Sequence, residues 1–281
     1  MEGAIVLLGA GSAAAVFACE LSHANVATRI WARSEAAASE LAQRFGPNCR
    51  AASELRVALE GTDALILCVA DDALVEVAQQ VSECKTLPKV ALHLSGYHDA
   101  SMLAPLVARG LSCGSMHPAR PLVSDGLALG SLRGGSFAFE GAPAAREVAA
   151  DIAAACGAVL FDLPAADGAK HAYHAAAALL SNGTVALYDI ALELAGGSDE
   201  VARAFLGLLA GTLDNLERLG VPGALTGPAL RGDEEVLLGH LEQLDSEQLA
   251  LYGSLTKRML ELALQRDALT QKQVQHLREL L

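Results

Sequence analysis

Residues 4–17, Ala-Ile-Val-Leu-Leu-Gly-Ala-Gly-Ser-Ala-Ala-Ala-Val-Phe, constrain this chain more than any other stretch. A short apolar run ends abruptly at Gly9, which reads as a buried strand entering a tight turn. The Ala-rich, proline-free run that follows reads as a helix. Gly9, Gly11 and Ala14 then occupy the three positions at which such a unit must be small. Gly9 permits the turn, Gly11 removes a Cβ that would block an approaching ligand, and Ala14 lets the helix pack closely on its strand. This is the dinucleotide fingerprint G-x-G-x-x-G/A, in which a pyrophosphate meets the free N–H groups and positive dipole end of the helix. A second strand, Val26 to Trp31, completes the β-α-β setting that the motif requires. The alternative is a tight turn in another doubly wound fold. Gly9, Ala10, Gly11, Ser12 and Ala13 are the expected pyrophosphate contacts. A secretory leader is not expected, because only Glu2 precedes the apolar run where positive charge is needed.

The next positions set the cofactor preference. An acidic residue after the second strand grips the ribose of NAD, whereas an arginine accommodates the extra phosphate of NADP. Here Trp31-Ala32-Arg33-Ser34 puts a guanidinium and a hydroxyl first, with Glu35 beyond them. NADP is therefore expected, held by Arg33 and Ser34; the plain alternative is a solvated loop arginine.

Asp63 to Val69 reads as a further buried strand. Val69, Ala70 and Asp71 follow at the strand end, where ligands lie in such sheets. One of Asp71 and Asp72 is expected to cap the next helix. Val90 to Leu94 and Leu111 to Met116 are two more strands. They deliver Ser95-Gly96 and His117 to the same sheet edge, although both could be inert turn residues. Strands at Gly134–Glu140 and Ala158–Asp162 flank an Ala-rich helix. After Leu163-Pro164 the pattern is helical throughout, with breaks at Gly196-Gly197 and Gly220-Val221-Pro222-Gly223. The expected fold is thus α/β, a doubly wound parallel sheet over residues 1–164 followed by an all-α domain over 165–281.

The first helix of that second domain, Asp167 to Ala195, is apolar almost throughout and is expected to be buried. Lys170, His174, Ser181 and Asn182 fall along one face of it, at about 100° per residue. Buried polar groups need partners, so this face either bonds loops or a second subunit, or lines an active-site cavity. Thr226-Gly227-Pro228 and Arg231-Gly232-Asp233 form a second polar island. Arg231 could clamp a carboxylate or make a surface salt bridge, and Asp233 could cap the helix that follows. His240 reads as structural.

Composition narrows the classes. Net charge −13 disfavours nucleic-acid binding, which wants a basic face. No unbroken apolar run has the length of a membrane span. The six cysteines are scattered, form no C-x-x-C pair and sit mostly in apolar runs, as small core residues do in a reducing cytosol. Neither metal nor disulfide is indicated.

Taken together, His93-Leu94-Ser95-Gly96, Gly114-Ser115-Met116-His117-Pro118, Tyr173-His174-Ala175-Ala176 through Asn182, Leu225-Thr226-Gly227-Pro228, Arg231-Gly232-Asp233 and His240-Leu241 form one ordered pattern. In that pattern the chain resembles the bacterial Rossmann-like NADP-dependent oxidoreductases whose helical C-terminal domain long had no assigned function. These are similar to 6-phosphogluconate dehydrogenase, pyrroline-carboxylate reductase and ketopantoate reductase. Some are regarded as an alternative class of ketopantoate reductase; for others a deazaflavin donor has been suggested. The resemblance implies a cytoplasmic reductase of a small 2-oxo acid, with ketopantoate the best single substrate. It also implies a homodimer through helices of the second domain, here 201–219, 247–264 and 269–281. In the 6-phosphogluconate type, a Lys and an Asn four residues later are catalytic. Here Lys170 is followed at that spacing by His174, and the asparagine arrives as Asn182. Lys170 is the expected acid, with His174 and Asn182 orienting the substrate. Ser95, Gly96, His117, Thr226, Arg231 and Asp233 are the expected substrate contacts, and Ser95, with Val69 and Ala70, is also expected beside the nicotinamide of the cofactor. Other readings are an imine reductase, or a non-catalytic protein that senses or stores NADP(H).

Overall fold

The computed structural model describes residues 3–122 and 132–281; Glu2, whose charge spoke against a leader, lies outside them. The chain opens with β1 (Ala4–Leu8), α1 (Ser12–His23), β2 (Thr28–Trp31), α2 (Glu35–Arg44), β3 (Cys49–Ala51) and α3 (Leu55–Leu59). β4 (Thr62–Leu67) leads through a 3-10 turn, Asp71–Ala73, into α4 (Leu74–Ser82) and β5 (Val90–His93). Then come α5 (Ala104–Val107), β6 (Ser112–Pro118), β7 (Ser136–Gly141), α6 (Pro143–Ala155) and β8 (Val159–Asp162). The remainder is helical: α7 (Ala169–Leu194), α8 (Asp199–Ala224), α9 (Pro228–Arg231), α10 (Glu234–Leu241), α11 (Ser246–Gln265) and α12 (Gln271–Glu279).

The eight strands make one sheet in the order β3-β2-β1-β4-β5-β6-β7-β8. From β3 to β6 every pairing is parallel, and the strand order reverses between β1 and β4, which opens the ligand crevice of this topology. The sheet departs from the all-parallel expectation at its far edge: β7 runs antiparallel to β6, and β8 parallel to β7. Among the described residues no helix joins β6 to β7, and a parallel return needs a crossover of that kind.

Both faces of the sheet are covered. Ile5, Leu7, Ile66, Leu92, Met116 and Phe137 pack under α1, α2 and α6. Val6, Leu8, Leu65, Leu67 and Ala91 pack under α3, α4 and α5. Strands buried on both faces are the reason these segments read as continuous apolar runs. All six cysteines are free and five are buried.

The chain divides into two compact units, Met1–Ser181 and Asn182–Leu281. Strands end at Asp162, near the expected boundary after residue 164, but the division falls inside α7. The reason is that the first turns of α7 bond into the first unit, through Lys170 on Ser115 and Tyr173 on His117. The second unit has its own core of Leu237, Leu260, Ala263, Leu269, Val274 and Leu277. Capping boxes at Asp245/Gln248 and Thr270/Gln273 start α11 and α12.

The expectation that α7 is buried fails: Lys170 is its one buried residue, and Leu179 and Val185 are 77% and 69% exposed. By length and composition alone the helix is long and apolar enough to cross a membrane, since a few interspersed polar residues leave its average hydropathy high.

Candidate active site

The dinucleotide motif lies at the crevice. Gly9 has φ +128°, and a Cβ there would lie 2.3 Å from the Cys68 carbonyl oxygen, so only glycine fits between β1 and β4. At Gly11 a Cβ would meet no protein atom within 4 Å. Gly11 thus leaves open space in front of the helix N-terminus, where a Cβ would reduce the room for a ligand. Gly11 caps α1 with no side-chain bond, and the first turn of that helix carries no acid. Its N–H groups are thus open to an anion, and the residues present fit a dinucleotide pyrophosphate.

Arg33 is exposed at the end of β2 and makes no ion pair among the described residues. Ser34 caps α2, its Oγ accepting from the Ala37 amide at 3.2 Å. Val69 is half-buried against the α4 side of the sheet, and Ala70 is exposed beside it. Neither Asp71 nor Asp72 caps the helical turn that follows Ala70, contrary to expectation. The Asp71 carboxylate instead accepts the Ser95 hydroxyl proton at 2.9 Å.

Ser95 is fully engaged. Its Oγ donates to Asp71 and accepts from the Tyr97 and His98 amides at 3.2 and 2.9 Å. A hydroxyl with its single proton spent on Asp71 has none left for a cofactor or substrate. Its geometry is that of a turn anchor. His93 is the second anchor: its Nδ1 accepts from the Ser95 amide, so its proton is on Nε2 and goes to the Asp99 carbonyl at 3.0 Å. Burial lowers the His93 pKa to about 4, with the nearby Lys170 charge adding to the effect. A buried base held neutral stabilises the fold at neutral pH and loses that contribution as pH falls from about 6.5 towards 4, where the unfolded chain takes up the proton. For His93 this is worth roughly 3 kcal/mol. Thermal melts should therefore show stability dropping through this window, and His93→Gln should flatten the slope while lowering stability at pH 7. An equal slope in the variant would contradict this account.

Gly96 is the contact point of the site. A Cβ there would lie 2.6 Å from His174 Nδ1 and 2.7 Å from His117 Nε2, so two imidazoles close on this glycine from α7 and β6. His117 belongs to β6, antiparallel to Ala138, and is not the loop residue its neighbour Pro118 suggested. Its Nδ1 faces the Tyr173 hydroxyl at 3.2 Å, and burial, followed by His174 and Lys170, lowers its pKa to about 4. His174 Nδ1 is buried without a hydrogen-bond partner. Gly96→Ala should displace both rings, lowering activity about tenfold or more and stability by about 1–3 kcal/mol; unchanged activity and melting would contradict the packing described.

One turn before His174, Lys170 is 8% exposed. Its ammonium donates to Ser115 Oγ and lies 3.8 Å from Glu140 Oε1. Ser115 Oγ passes its own proton to the Ser95 carbonyl at 3.1 Å, and Glu140 Oε1 accepts the Ala100 amide at 2.6 Å. Burial lowers the Lys170 pKa from its ordinary value, opposed by the carboxylates of Glu140, Asp99 and Asp71.

The first unit thus brings together Asp71, Ser95, Gly96, His117, Lys170 and His174. Asn182 is exposed on α7 and begins the second unit. Thr226, Arg231 and Asp233 also belong to that unit. There Arg231 pairs with Asp233 at 2.7 Å, and Asp233 makes no side-chain cap to α10 because its carboxylate is taken up by the guanidinium. Sequence reasoning missed Ser115, Glu140 and Tyr97 as site residues. Ser115 had a signal, since it shares a strand face with His117 two residues on. Glu140 and Tyr97 had none, because only tertiary structure brings them to Lys170 and His174.

A Rossmann sheet with an open helix N-terminus, followed by a helical domain, defines a dinucleotide-dependent oxidoreductase architecture. Residues 4–90 match the family described as NADP oxidoreductase, coenzyme F420-dependent, and residues 136–259 match the domain of unknown function DUF2520. The chain joins an NADP-oxidoreductase domain to a DUF2520 domain. No curated protein matches the sequence. Among solved structures, a Thermotoga maritima protein matches with TM-score 0.71 at 24% identity, over 94% of this chain and 99% of that one. A pyrroline-5-carboxylate reductase from Coxiella burnetii matches with TM-score 0.66 at 14% identity, over 100% and 99%. A reductive aminase from Aspergillus terreus, solved with NADPH and ethyl levulinate, matches with TM-score 0.64 at 19% identity, over 96% and 100%.

Proposed function

We propose that this chain is an NADPH-dependent reductase of a C=O or C=N bond in a small molecule, with Lys170 the proton donor. The observation that carries the reading is a buried ammonium bonded to Ser115 on β6, one helical turn before an imidazole that closes on Gly96. A protein that only stored the dinucleotide would have no use for this costly arrangement. Bound NADPH supplies a hydride to the substrate carbon. Negative charge then grows on the substrate oxygen or nitrogen, where a preplaced ammonium stabilises it and gives up a proton. His174, one turn further along α7, is proposed to orient that atom, and Asn182 to assist.

A 2-oxo acid, ketopantoate first, is the substrate class the sequence resemblance implies. An imine is favoured by a separate observation: of the expected carboxylate holders, the Ser95 hydroxyl is spent on Asp71 and Arg231 is paired with Asp233. The reductive aminase neighbour supports the same reading. Optical NADPH oxidation with a panel of 2-oxo acids and cyclic imines tests both.

NADP preference is proposed to rest on Arg33. Arg33→Ala should cost about 1.5–3 kcal/mol in NADP affinity and leave NAD affinity unchanged. Equal loss for both would make Arg33 structural.

The chain is also proposed to form a homodimer in a reducing cytosol. Leu179, Leu180 and Val185 on α7 and Leu206, Leu208 and Leu213 on α8 are exposed, more apolar surface than a monomer carries. The expected contribution from α12 is withdrawn, since its Val274 and Leu277 lie in the core of the second unit. Light scattering should give a dimeric mass at micromolar concentration; a monomeric mass would contradict this.

A further inference from the structure

We infer that Glu140 is the proton inlet of Lys170, taking protons from solvent through a cavity on the side of Lys170 away from Ser115. The inference rests on the reading of Lys170 as proton donor, because an ammonium that gives up a proton in each turnover must regain one. Ser115 cannot return it: that hydroxyl already accepts from Lys170 and donates to the Ser95 carbonyl, itself buried. The other neighbour is Glu140, whose carboxylate lies 3.8 Å from Nζ and is 29% exposed. Its Oε1 is fixed by the Ala100 amide, and Oε2 has no hydrogen bond among the described residues. Glu140 and Lys170 line a cavity of about 570 Å³, together with Tyr97, Asp99, His171 and Asp167. Asp162 borders the same cavity but is paired to Arg146 through two bonds, at 2.7 and 2.8 Å. Glu140 is thus the carboxylate that is ion-paired with the lysine and also faces the cavity.

The proton balance closes. Lys170 Nζ gives a proton to the reduced substrate atom and becomes a neutral amine. Glu140 takes a proton from cavity water and passes it to the Nζ lone pair, which restores ammonium and carboxylate. One solvent proton is consumed per turnover, as the reduction of C=O or C=N by NADPH requires. The groups facing this pair are Asp99 from the loop after β5, Asp71 from the turn after β4, and His171 and Asp167 at the start of α7.

The test needs no substrate. Lys170 is one of five lysines, so its ammonium signal can be assigned in ¹⁵N-labelled protein by comparison with Lys170→Ala. Glu140→Gln keeps the oxygen that accepts the Ala100 amide but removes the proton carrier. Exchange of the Lys170 ammonium protons with water should slow at least tenfold in Glu140→Gln, with the other four lysines unaffected. Formate, small enough to enter the cavity, should restore it. Exchange at the normal rate overturns the inlet, and so does slowing that formate leaves unchanged, since that indicates altered packing. Neither result bears on whether Lys170 is the donor. That is read separately, from turnover of Lys170→Ala.

Discussion

Gly9→Ala should abolish stable folding, whereas Gly11→Ala should fold normally and fail to bind the dinucleotide. At Gly9 an added Cβ would sit 2.3 Å from the Cys68 carbonyl oxygen, at φ +128°. Neither partner can retreat. The Gly9 amide is bonded to the Trp31 carbonyl at 2.8 Å, and the Cys68 amide to the Leu8 carbonyl at 2.8 Å, so both ends are tied into the central strands. Backbone strain and overpacking together should cost about 3–5 kcal/mol, a large share of a domain's whole stability. Gly11 is the control. Its φ of −85° suits alanine and the added methyl meets no protein atom, so melting should be unchanged within about 0.5 kcal/mol. Dinucleotide affinity should nevertheless fall about tenfold or more, because the methyl occupies the approach to the helix N-terminus. Calorimetric melting and titration with NADPH separate the two. A stable Gly9→Ala, or a Gly11→Ala that binds NADPH normally, would contradict the account of the motif.

The second large effect concerns Lys170. Lys170→Ala should lower turnover by about 10²–10⁴-fold while NADPH still binds, because the ammonium is the preplaced charge and proton source for the reduced atom. His174→Ala should cost less, since on this reading the imidazole orients the substrate and Lys170 supplies the proton. The Lys170 variant also removes a partner of Ser115 and Glu140. Lys170→Met, which keeps the bulk, is therefore the cleaner form. If Lys170→Met turns over at nearly the normal rate, the assignment fails. If the loss moves to His174→Ala, the imidazole is the acid.

Much of this was legible in the chain. Strand runs buried on both faces read directly as apolar segments, and the glycine motif announced the β1–α1 turn. Lys170 and His174 could be placed together because a helix repeats every 3.6 residues, and His117 because a strand ends where ligands lie. What the sequence did not show depends on long-range pairing. The reversed β7 has the same apolar pattern as a parallel strand. Ser95 reads as a free polar residue until Asp71, 24 positions earlier, takes its proton. Glu140 meets Lys170 only because β7 lies beside β6 and the first turn of α7 bonds to β6 through Ser115. The exposure of α7 was also invisible, since an apolar helix reads the same whether its own chain or a second copy covers it.

The central claim is that this chain transfers hydride, and one measurement addresses it most directly. Purified protein with NADPH and each member of the 2-oxo acid and cyclic imine panel is followed optically, with Lys170→Met as the paired control. The account predicts saturable NADPH oxidation with at least one member, stoichiometric with reduced product and lost in the variant. Tight NADPH binding with no oxidation by any member, the same in both proteins, would contradict it and make this a nucleotide-binding protein without catalysis.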